Sequence, residues 1–317
     1  MVEITPEELA KSAKKYRKDL LMMPVIALGR SLQHMTIRLG VRGEEVVGEL
    51  DGDIEMGPYS ETRVDENGAT IKGRSLYTWR GSVIKKFSPN SVAESIYGDS
   101  VLKGEGLKTT EITLLVVGYY AKKVSKALNK ALWTAVRNAN GTKSADLFNG
   151  FDTITDAEIT AGNISVAKGN LYEFTEVITA SNACDQLKAF YRAADDNLQE
   201  ETTKMFMAKS HKQNYEDCYK NESGSVAYNT EFKKTFLEGT EQSCEMVALA
   251  NKKGSKYIHL TTKGNMLIGV DQMGDEESIS VEKHHPLLLD FVMVMYFGVQ
   301  FESISPERII IGKLKTA

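Results

Sequence analysis

The chain has 317 residues and a mass of 35.2 kDa, with 42% apolar and 26% charged residues. This is the composition of an ordinary globular protein, large enough for one elaborate domain or two. The net charge of −4 and the pI near 5.9 disfavour a protein held on nucleic acid by its overall charge, although local basic patches remain compatible with them.

The cysteines indicate neither a disulfide framework nor a zinc site. Cys184, Cys218 and Cys244 are odd in number, widely spaced and without a CxxC pair, which fits a reducing compartment. Residues 1–15 lack the order of a signal peptide, and no stretch approaches about eighteen consecutive apolar residues. We therefore expect no membrane partner and synthesis in the cytoplasm.

The chain opens with a strong helix-start signal. Thr5 is placed to cap a helix, Pro6 takes the first helical position, and Glu8 completes a capping box. Pro24 ends this helix, and residues 25–35 form a second apolar and helical segment. Because neither segment can form a compact core, they predict an N-terminal arm whose apolar side needs a partner.

Residues 36–87 carry strand signals separated by glycines. A turn at residues 65–68 lies between two predicted strands at residues 59–64 and 69–79. Most positions are polar, so the segment would make a poor core of its own. A long hairpin that packs on a neighbour is one interpretation, and a solvent-facing hairpin of an ordinary domain is the other.

A short helix and a connector follow the hairpin. Ser88, Pro89 and Glu94 predict a helix that ends near residue 98, and residues 99–108 lead to the next element. The run that includes Gly104, Gly106, Lys108 and Thr109 superficially resembles a phosphate-binding loop. The glycine required before the lysine is replaced by a leucine, so this interpretation is rejected.

Residues 110–138 predict one long amphipathic helix of roughly 43 Å. Its apolar stripe consists of Ile112, Val116, Tyr120, Val124, Leu128, Leu132 and Val136, widened by Leu115, Tyr119 and Trp133. Asn140 and Gly141 provide the termination signal. The length and the continuous stripe predict a helix that spans a whole domain.

Five basic residues lie between the positions of this stripe: Lys122, Lys123, Lys126, Lys130 and Arg137. One interpretation is a solvated helix face, since charged residues usually stay exposed. The other is a basic surface that faces a polyanion or an acidic neighbouring subunit.

The second half of the chain mixes helices and strands without regular alternation, which predicts the α+β class. Residues 147–154 form a short apolar run that contains Gly150. Predicted helices cover residues 181–198 and 210–219, and a turn-rich excursion covers residues 221–239. Predicted strands cover residues 204–208, 245–250, 256–262, 278–283, 287–304 and 308–313.

The sequence provides no active-site motif. The histidines are His34, His211, His259, His284 and His285. Adjacent His284 and His285 on a strand would point to opposite faces, so they cannot easily bind one metal. His211 and Cys218 share a helix face, but no orienting acid is evident. The acidic turn with Asp271, Asp275, Glu276 and Glu277 lacks the spacing of a calcium loop. We expect no catalytic residue, no cofactor and no metal.

Four stretches resemble one known family in their amino-acid sequence, their order and their spacing. They are SLYTWRG at 75–81, FSPN at 87–90, LFNGFDTI at 147–154 and IHLTTKGNMLIGVD at 258–271. With the order of arm, hairpin, long helix, mixed region and long apolar strand, the chain resembles the major capsid proteins of tailed bacteriophages with the Hong Kong 97 type fold.

The resemblance implies a division of the chain. Residues 1–50 would form the arm and the entry to the peripheral domain, residues 51–90 the extended loop, and residues 91–170 the peripheral domain with a spine helix at 110–138. Residues 171–285 would hold most of the axial domain, and residues 286–317 would return to the peripheral and axial domains.

The resemblance also implies partners and location. The chain would assemble with itself into pentamers and hexamers of an icosahedral head that encloses double-stranded DNA. A scaffolding protein and a portal would assist in the host bacterial cytoplasm. Scaffolding would come from a separate protein or a cleaved segment, and no lysine–asparagine cross-link can be assigned.

Two other functions compete with this one. A shell protein of an encapsulin-like bacterial nanocompartment would have the same fold but would enclose cargo enzymes. A hydrolase that uses His211 with Cys218, or the acidic turn at Asp271, is the alternative from a different class of protein.

Overall fold

The computed structural model describes residues 30–51, 59, 70–87, 109–223, 235–271, 279–285 and 288–315. Several predicted features lie outside the described residues: the helix that starts at Thr5, all but the first residue of the strand at 59–64, the turn at 65–68, the helix that starts at Ser88, and the whole connector 99–108. Most of the acidic turn after Asp271 also lies outside them.

The described elements are named in chain order. The helices are α1 (Arg30–Gln33), α2 (Thr109–Ala131), α3 (Phe151–Thr160), α4 (Ala183–Arg192), α5 (Asp196–Glu200) and α6 (Lys209–Ser223). The strands of the first half are β1 (Thr36–Leu39), β2 (Glu44–Asp51), β3 (Thr70–Tyr77) and β4 (Trp79–Phe87). Those of the second half are β5 (Leu171–Glu173), β6 (Thr203–Ala208), β7 (Cys244–Leu249), β8 (Tyr257–Thr262), β9 (Met266–Val270), β10 (Ile279–His285), β11 (Leu288–Phe301) and β12 (Ile309–Lys313).

The first sheet is organised around β11. Its strand order is β1-β9-β11-β10, and β4 also pairs with β11. Phe291, Phe297 and Phe301 are buried along this strand together with the alternate residues between them, whereas the intervening side chains are mostly half-buried. This period of two explains why the apolar run at 287–304 forms a strand and not a helix. Tyr120 of α2 stacks on Phe291, with ring centroids 5.4 Å apart, which places the long helix on this sheet.

The second sheet separates two cores. Its strand order is β5-β12-β8-β6-β7. Phe206 on one face joins the larger core around Trp133, while the flanking Met205 and Met207 join a second core with α4 and α6. The alternation of side chains along β6 therefore lets one strand contribute to both cores.

The long helix ends at Ala131, so the predicted end at Asn138 and the terminator at Asn140 and Gly141 are wrong. The amide of Val136 donates to the carbonyl of Ala145 at 3.0 Å, and the amide of Asn138 donates to that of Asp146 at 2.9 Å. These backbone bonds replace the continued helix. Val136 is consequently 60% exposed and not part of the apolar stripe, whereas Leu128, Leu132 and Trp133 are buried as predicted.

Backbone carbonyls just after the end of α2 accept hydrogen bonds from amides at the start of α3. The carbonyls of Leu132 and Trp133 accept from the amides of Phe151 and Asp152 at 3.3 and 3.0 Å. A Cβ on Gly150 would lie 2.3 Å from the Trp133 carbonyl oxygen, so only glycine fits at this contact. The two helices thus meet end to end through a close backbone contact, which the sequence showed only as an apolar run with a glycine.

Other boundaries also differ from the prediction. The single helix predicted at 181–198 is two helices, α4 and α5, because the chain turns after Arg192 and Asp195 caps the second helix through the amide of Asn197. The prediction missed the short strands β5 and β9. The residue range 69–79 is divided at Thr78 between β3 and β4, which belong to different sheets.

Gly298 provides a test of how closely the first sheet packs on the corner between β3 and β4. A Cβ at this position would lie 2.0 Å from the backbone carbonyl oxygen of Tyr77. We expect Gly298→Ala to lower the free energy of unfolding by about 1–3 kcal/mol, because backbone must move to relieve the overlap. Urea unfolding measures this change. Gly264→Ala is the control, since no atom lies within 4 Å of its Cβ position, and equal losses in the two variants would contradict the prediction.

Candidate functional surfaces

The hairpin of β2 and β3 has one buried and one exposed face. Its register pairs Glu44 with Tyr77 and continues to the pair of Asp51 with Thr70. Val47 and Leu76 are buried in a small core with Val41 and Leu267. On the other face Val46 is 71% exposed and Tyr77 is 46% exposed. A two-stranded sheet that exposes Val46 and Tyr77 beside Glu44 is a surface suited to contact with a partner.

The base of the hairpin is fixed to the rest of the subunit by charged and polar contacts. Arg74 donates to Oε1 of Glu158 on α3 at 2.6 Å and to Oε1 of Gln300 on β11 at 3.2 Å. Thr78 donates to the carbonyl of Val41 at 2.8 Å and accepts from the amide of Gly43 at 3.0 Å. The hairpin therefore leaves the body of the subunit in a defined direction.

Tyr77 links the exposed face to this base. Its hydroxyl donates to Oε1 of Glu44 at 2.9 Å, and its ring stacks near Trp79 with centroids 6.1 Å apart. The hydrogen bonds that Glu44 accepts from Ser75 and Tyr77 lower the pKa of its carboxyl group. Glu44 thus stays ionised on the exposed face at neutral pH.

The contact of Arg74 with Glu158 should stabilise the hairpin against local opening. We expect Arg74→Ala to accelerate amide hydrogen exchange in β2 and β3 by about tenfold or more, because the lost hydrogen bonds are charge-assisted and the two side chains are only 15% and 18% exposed. Exchange in β7 should not change. Lys313→Ala, which removes an exposed ion pair with Glu173, is the control and should leave the hairpin amides as they are. Unaltered hairpin exchange in Arg74→Ala would contradict this anchoring role.

The basic residues of the long helix divide into two groups. Lys122, Lys123, Lys126 and Lys130 are exposed. Arg137 lies beyond the helix end, half-buried, with its guanidinium carbon 3.4 Å from the centroid of the Trp79 ring and a hydrogen bond to the carbonyl of Leu147. The four lysines form a basic surface, whereas Arg137 has a packing role.

A buried polar cluster lies between the end of α2, α3 and the second sheet. Lys252 is 0% exposed, and its Nζ lies 3.2 Å from Oδ1 of Asp152, 2.9 Å from Nδ1 of His259 and 3.6 Å from the centroid of the Trp133 ring. His259 Nε2 lies 3.1 Å from the hydroxyl of Thr155. Sequence reasoning missed this cluster, because Lys252 stands in a polar connector between two strands.

Burial determines the charge state of this cluster. It lowers the pKa of Lys252 to about 8, although Asp152 opposes the shift. Burial, together with the nearby Lys252, lowers the pKa of His259 well below its usual value, so the imidazole is neutral and Nδ1 can accept from the ammonium. Lys252 and His259 are completely buried, so the cluster is enclosed. It has a structural role, because it links α3 to strand β8 of the second sheet.

The candidate catalytic pair of His211 and Cys218 lies on α6 but has no supporting geometry. Cys218 is buried in the second core. Burial lowers the pKa of His211, and its Nδ1 has no hydrogen-bond partner among the residues that the structure describes. The three cysteines, all within described segments, are buried and form no disulfide.

The other candidate residues lie in ion pairs, in polar contacts or at a strand end. Asp271 accepts from Nε of Arg42 at 2.6 Å, which makes it one half of an ion pair. His284 and His285 are the last two residues of β10, and His34 is near Glu245 and Lys204. Within the described segments no group of histidine, cysteine and acidic residues could hold a metal, and no described helix is long and apolar enough to cross a membrane.

Comparison with solved structures decides the fold. The chain matches a chain of the satellite phage P4 procapsid that includes size determination (Sid) protein, with a TM-score of 0.58 and 11% identity over 93% of this chain and 98% of the other. The chain has the Hong Kong 97 type capsid fold.

Two further structures match over a similar share of both chains. The capsid of an empty GTA particle gives a TM-score of 0.55 at 13% identity over 91% and 90% of the two chains. The cyanophage A-1(L) capsid gives 0.52 at 15% identity over 90% and 93%. No protein-family model and no curated protein sequence matches the chain. The α+β prediction and the family resemblance are therefore confirmed at the level of fold.

Proposed function

We propose that this protein is the major capsid protein of a bacteriophage or prophage head. The observation that carries the proposal is the match to three capsid structures along about nine tenths of both chains. Because about nine tenths of both chains match, the likeness covers most of a shell subunit and not one common motif.

The division of the chain follows from the same proposal. Residues 51–90 act as an extended loop, residues 91–170 and 171–285 form most of the peripheral and axial domains, and residues 286–317 return to both. The second core, which gathers α4, α6 and one face of the second sheet, supports an axial domain within residues 171–285. Strand β4 at 79–87 pairs with β11 in the first sheet, so the extended loop ends before residue 79. In this division the spine helix ends at Ala131 and not at residue 138.

Assembly is the proposed activity, and it needs no catalytic residue. Copies of the chain form pentamers and hexamers, and modest contacts summed over a closed lattice stabilise the shell. A scaffolding protein, a portal and packaged double-stranded DNA are the proposed partners, and assembly takes place in the host cytoplasm. The exposed face of the β2–β3 hairpin supports a role in contact between subunits.

The decisive experiment measures the size of the particles that the expressed protein forms. Size-exclusion chromatography and negative-stain microscopy of the chain, alone and together with its scaffold, should reveal capsomers or closed shells. A monomer that persists under all assembly conditions would overturn the proposal. Nuclease-protected DNA inside the isolated shell supports a phage head, whereas an enclosed protein cargo would favour the nanocompartment.

A further inference from the structure

The exposed side of α2 is a face of positive charge. Its exposed lysines, here called the lysine face, are Lys122, Lys123, Lys126 and Lys130. With 3.6 residues per turn they fall within an arc of about 100°, on the side of the helix opposite to buried Leu128. The helix contains no acidic residue from position 112 to its end, so its own side chains do not offset this charge there.

Other parts of the subunit do not pair with this charge either. The ion pairs that join described residues involve none of the four lysines. The Nζ atom of Lys123 lies 5.3 Å from the centroid of the Tyr119 ring, which is itself 52% exposed. Because its charges are concentrated and not neutralised by described acids, the lysine face attracts anions.

The composition of the lysine face favours a polyanion over a protein partner. Protein–protein interfaces are depleted in lysine and enriched in aromatic residues, methionine and arginine. The exposed positions of α2 from residue 119 to residue 130 carry four lysines, one tyrosine and one alanine. Lysine ammonium groups bind phosphate as point charges and lack the planar fork with which arginine recognises a base or a carboxylate. The face is therefore suited to an array of phosphates, bound without sequence preference.

The spacing of the lysines fits duplex DNA. Lys122 and Lys130 are eight residues apart, which is about 12 Å along the helix axis. Over this length a duplex carries about seven phosphate charges, one for roughly each 1.7 Å of its axis. Each of the four flexible lysine side chains can consequently reach a phosphate of its own.

We propose that the lysine face of α2 contacts the phosphates of the packaged double-stranded DNA. This inference rests on the proposed shell function, and it adds the residues that make the contact and the side of the subunit that faces the DNA. The contact is electrostatic and independent of base sequence, because phosphates are the same at every base pair. Each subunit thereby neutralises part of the charge of the DNA that lies next to the shell.

Binding of a DNA duplex by the unassembled subunit tests the lysine face directly. Fluorescence anisotropy of a short labelled duplex is measured between about 50 and 200 mM salt. The helix variant carries Lys122→Ala, Lys126→Ala and Lys130→Ala, since alanine preserves the helix. We expect its affinity at the lower salt to fall by about tenfold or more. The dependence of log K on log salt should become less steep by about 2.7, because each lost phosphate contact removes about 0.9 from the slope.

A matched control separates the lysine face from the total charge of the subunit. Lys168→Ala, Lys253→Ala and Lys256→Ala together change the net charge by the same amount at other exposed positions. This control variant should bind the duplex as the unmodified chain does. Duplexes of different base sequence should bind equally well, and circular dichroism checks that each variant keeps its fold.

Chemical labelling of assembled particles provides a readout that needs no variant. A small amine-reactive reagent is applied to DNA-filled particles and to the same particles after release of their DNA, and mass spectrometry locates the modified lysines. We expect Lys122, Lys126 and Lys130 to be modified several-fold less in the filled particles. Lys168 and Lys256 should be modified to the same extent in both.

The outcomes separate this contact from its alternatives. Weaker binding by the helix variant alone, together with protection of its lysines in filled particles, supports the contact. Unchanged affinity of the helix variant, or equal labelling of filled and emptied particles, overturns it while the shell function stands. If the helix variant keeps its affinity for DNA but no longer assembles, the lysine face contacts another subunit instead. If the unmodified chain binds the duplex but never forms shells, the shell function is wrong, and the contact with packaged DNA is wrong with it.

Discussion

A subunit with a shortened hairpin should fold but should not assemble. In the variant, residues 49–72 are replaced by the dipeptide Asn-Gly, which joins the paired Gly48 and Gly73 by a tight turn. Val47, Leu76 and the Arg74 contact with Glu158 all remain, so the base of the hairpin keeps its attachment. The variant removes the rest of the hairpin, and with it the proposed contact between subunits.

Size-exclusion chromatography and microscopy measure the outcome. We expect a soluble monomer with an unchanged circular dichroism spectrum and no detectable shells. A full-length hairpin with Asp65 and Gly68 and the two residues between them replaced by a Gly-Ser turn of equal length is the control and should assemble. Aggregation of the shortened subunit would mean that the hairpin belongs to the core, and normal assembly would mean that it makes no essential contact.

Removal of the buried counter-charge should strongly destabilise the subunit. Asp152→Asn leaves Lys252 without its ion partner at a position with no solvent exposure. Loss of one member of a buried ion pair typically costs about 3–5 kcal/mol, because the remaining charge keeps its desolvation penalty without the attraction that offset it. We expect a loss of this size in the free energy of unfolding, measured by urea unfolding of the unassembled subunit.

A double variant tests whether the uncompensated charge of Lys252 causes the loss of stability in Asp152→Asn. Asp152→Asn combined with Lys252→Met removes both charges, and methionine retains an unbranched chain beside the Trp133 ring. We expect it to recover most of the stability that Asp152→Asn loses, as replacement of whole buried pairs often does. Equal stability of the single and double variants would show that the Lys252 charge does not determine the loss.

Local patterns allowed much of the fold to be predicted. The apolar residues of α2 recur with the helical period and those of β11 with the strand period, so the type of both elements was predictable. The order of hairpin, long helix and mixed region also carried the resemblance to capsid proteins. These features depend on neighbours a few residues apart, and the sequence displays such neighbours directly.

The candidate surfaces were predictable only in part. The lysines between the apolar positions of α2 had to be exposed if the stripe was buried, and they are. Lys252 could not be found this way, because its partners Asp152 and His259 come from α3 and β8 and meet it only in three dimensions. His211 and Cys218 were the reverse case: the sequence places them on one helix face, but the structure buries the Cys218 thiol in the second core.

The sequence by itself determined the class of the fold, the strand-rich hairpin segment and the basic residues of the long helix, since periodicity and charge are properties of the chain before it folds. Only the tertiary structure decided where that helix ends, because Val136 and Asn138 exchange helical hydrogen bonds for bonds to residues 145 and 146. It also decided that Lys252 is buried and that β11 pairs with β4, β9 and β10. Such contacts join distant residues, and their free energy appears only when the whole core is packed.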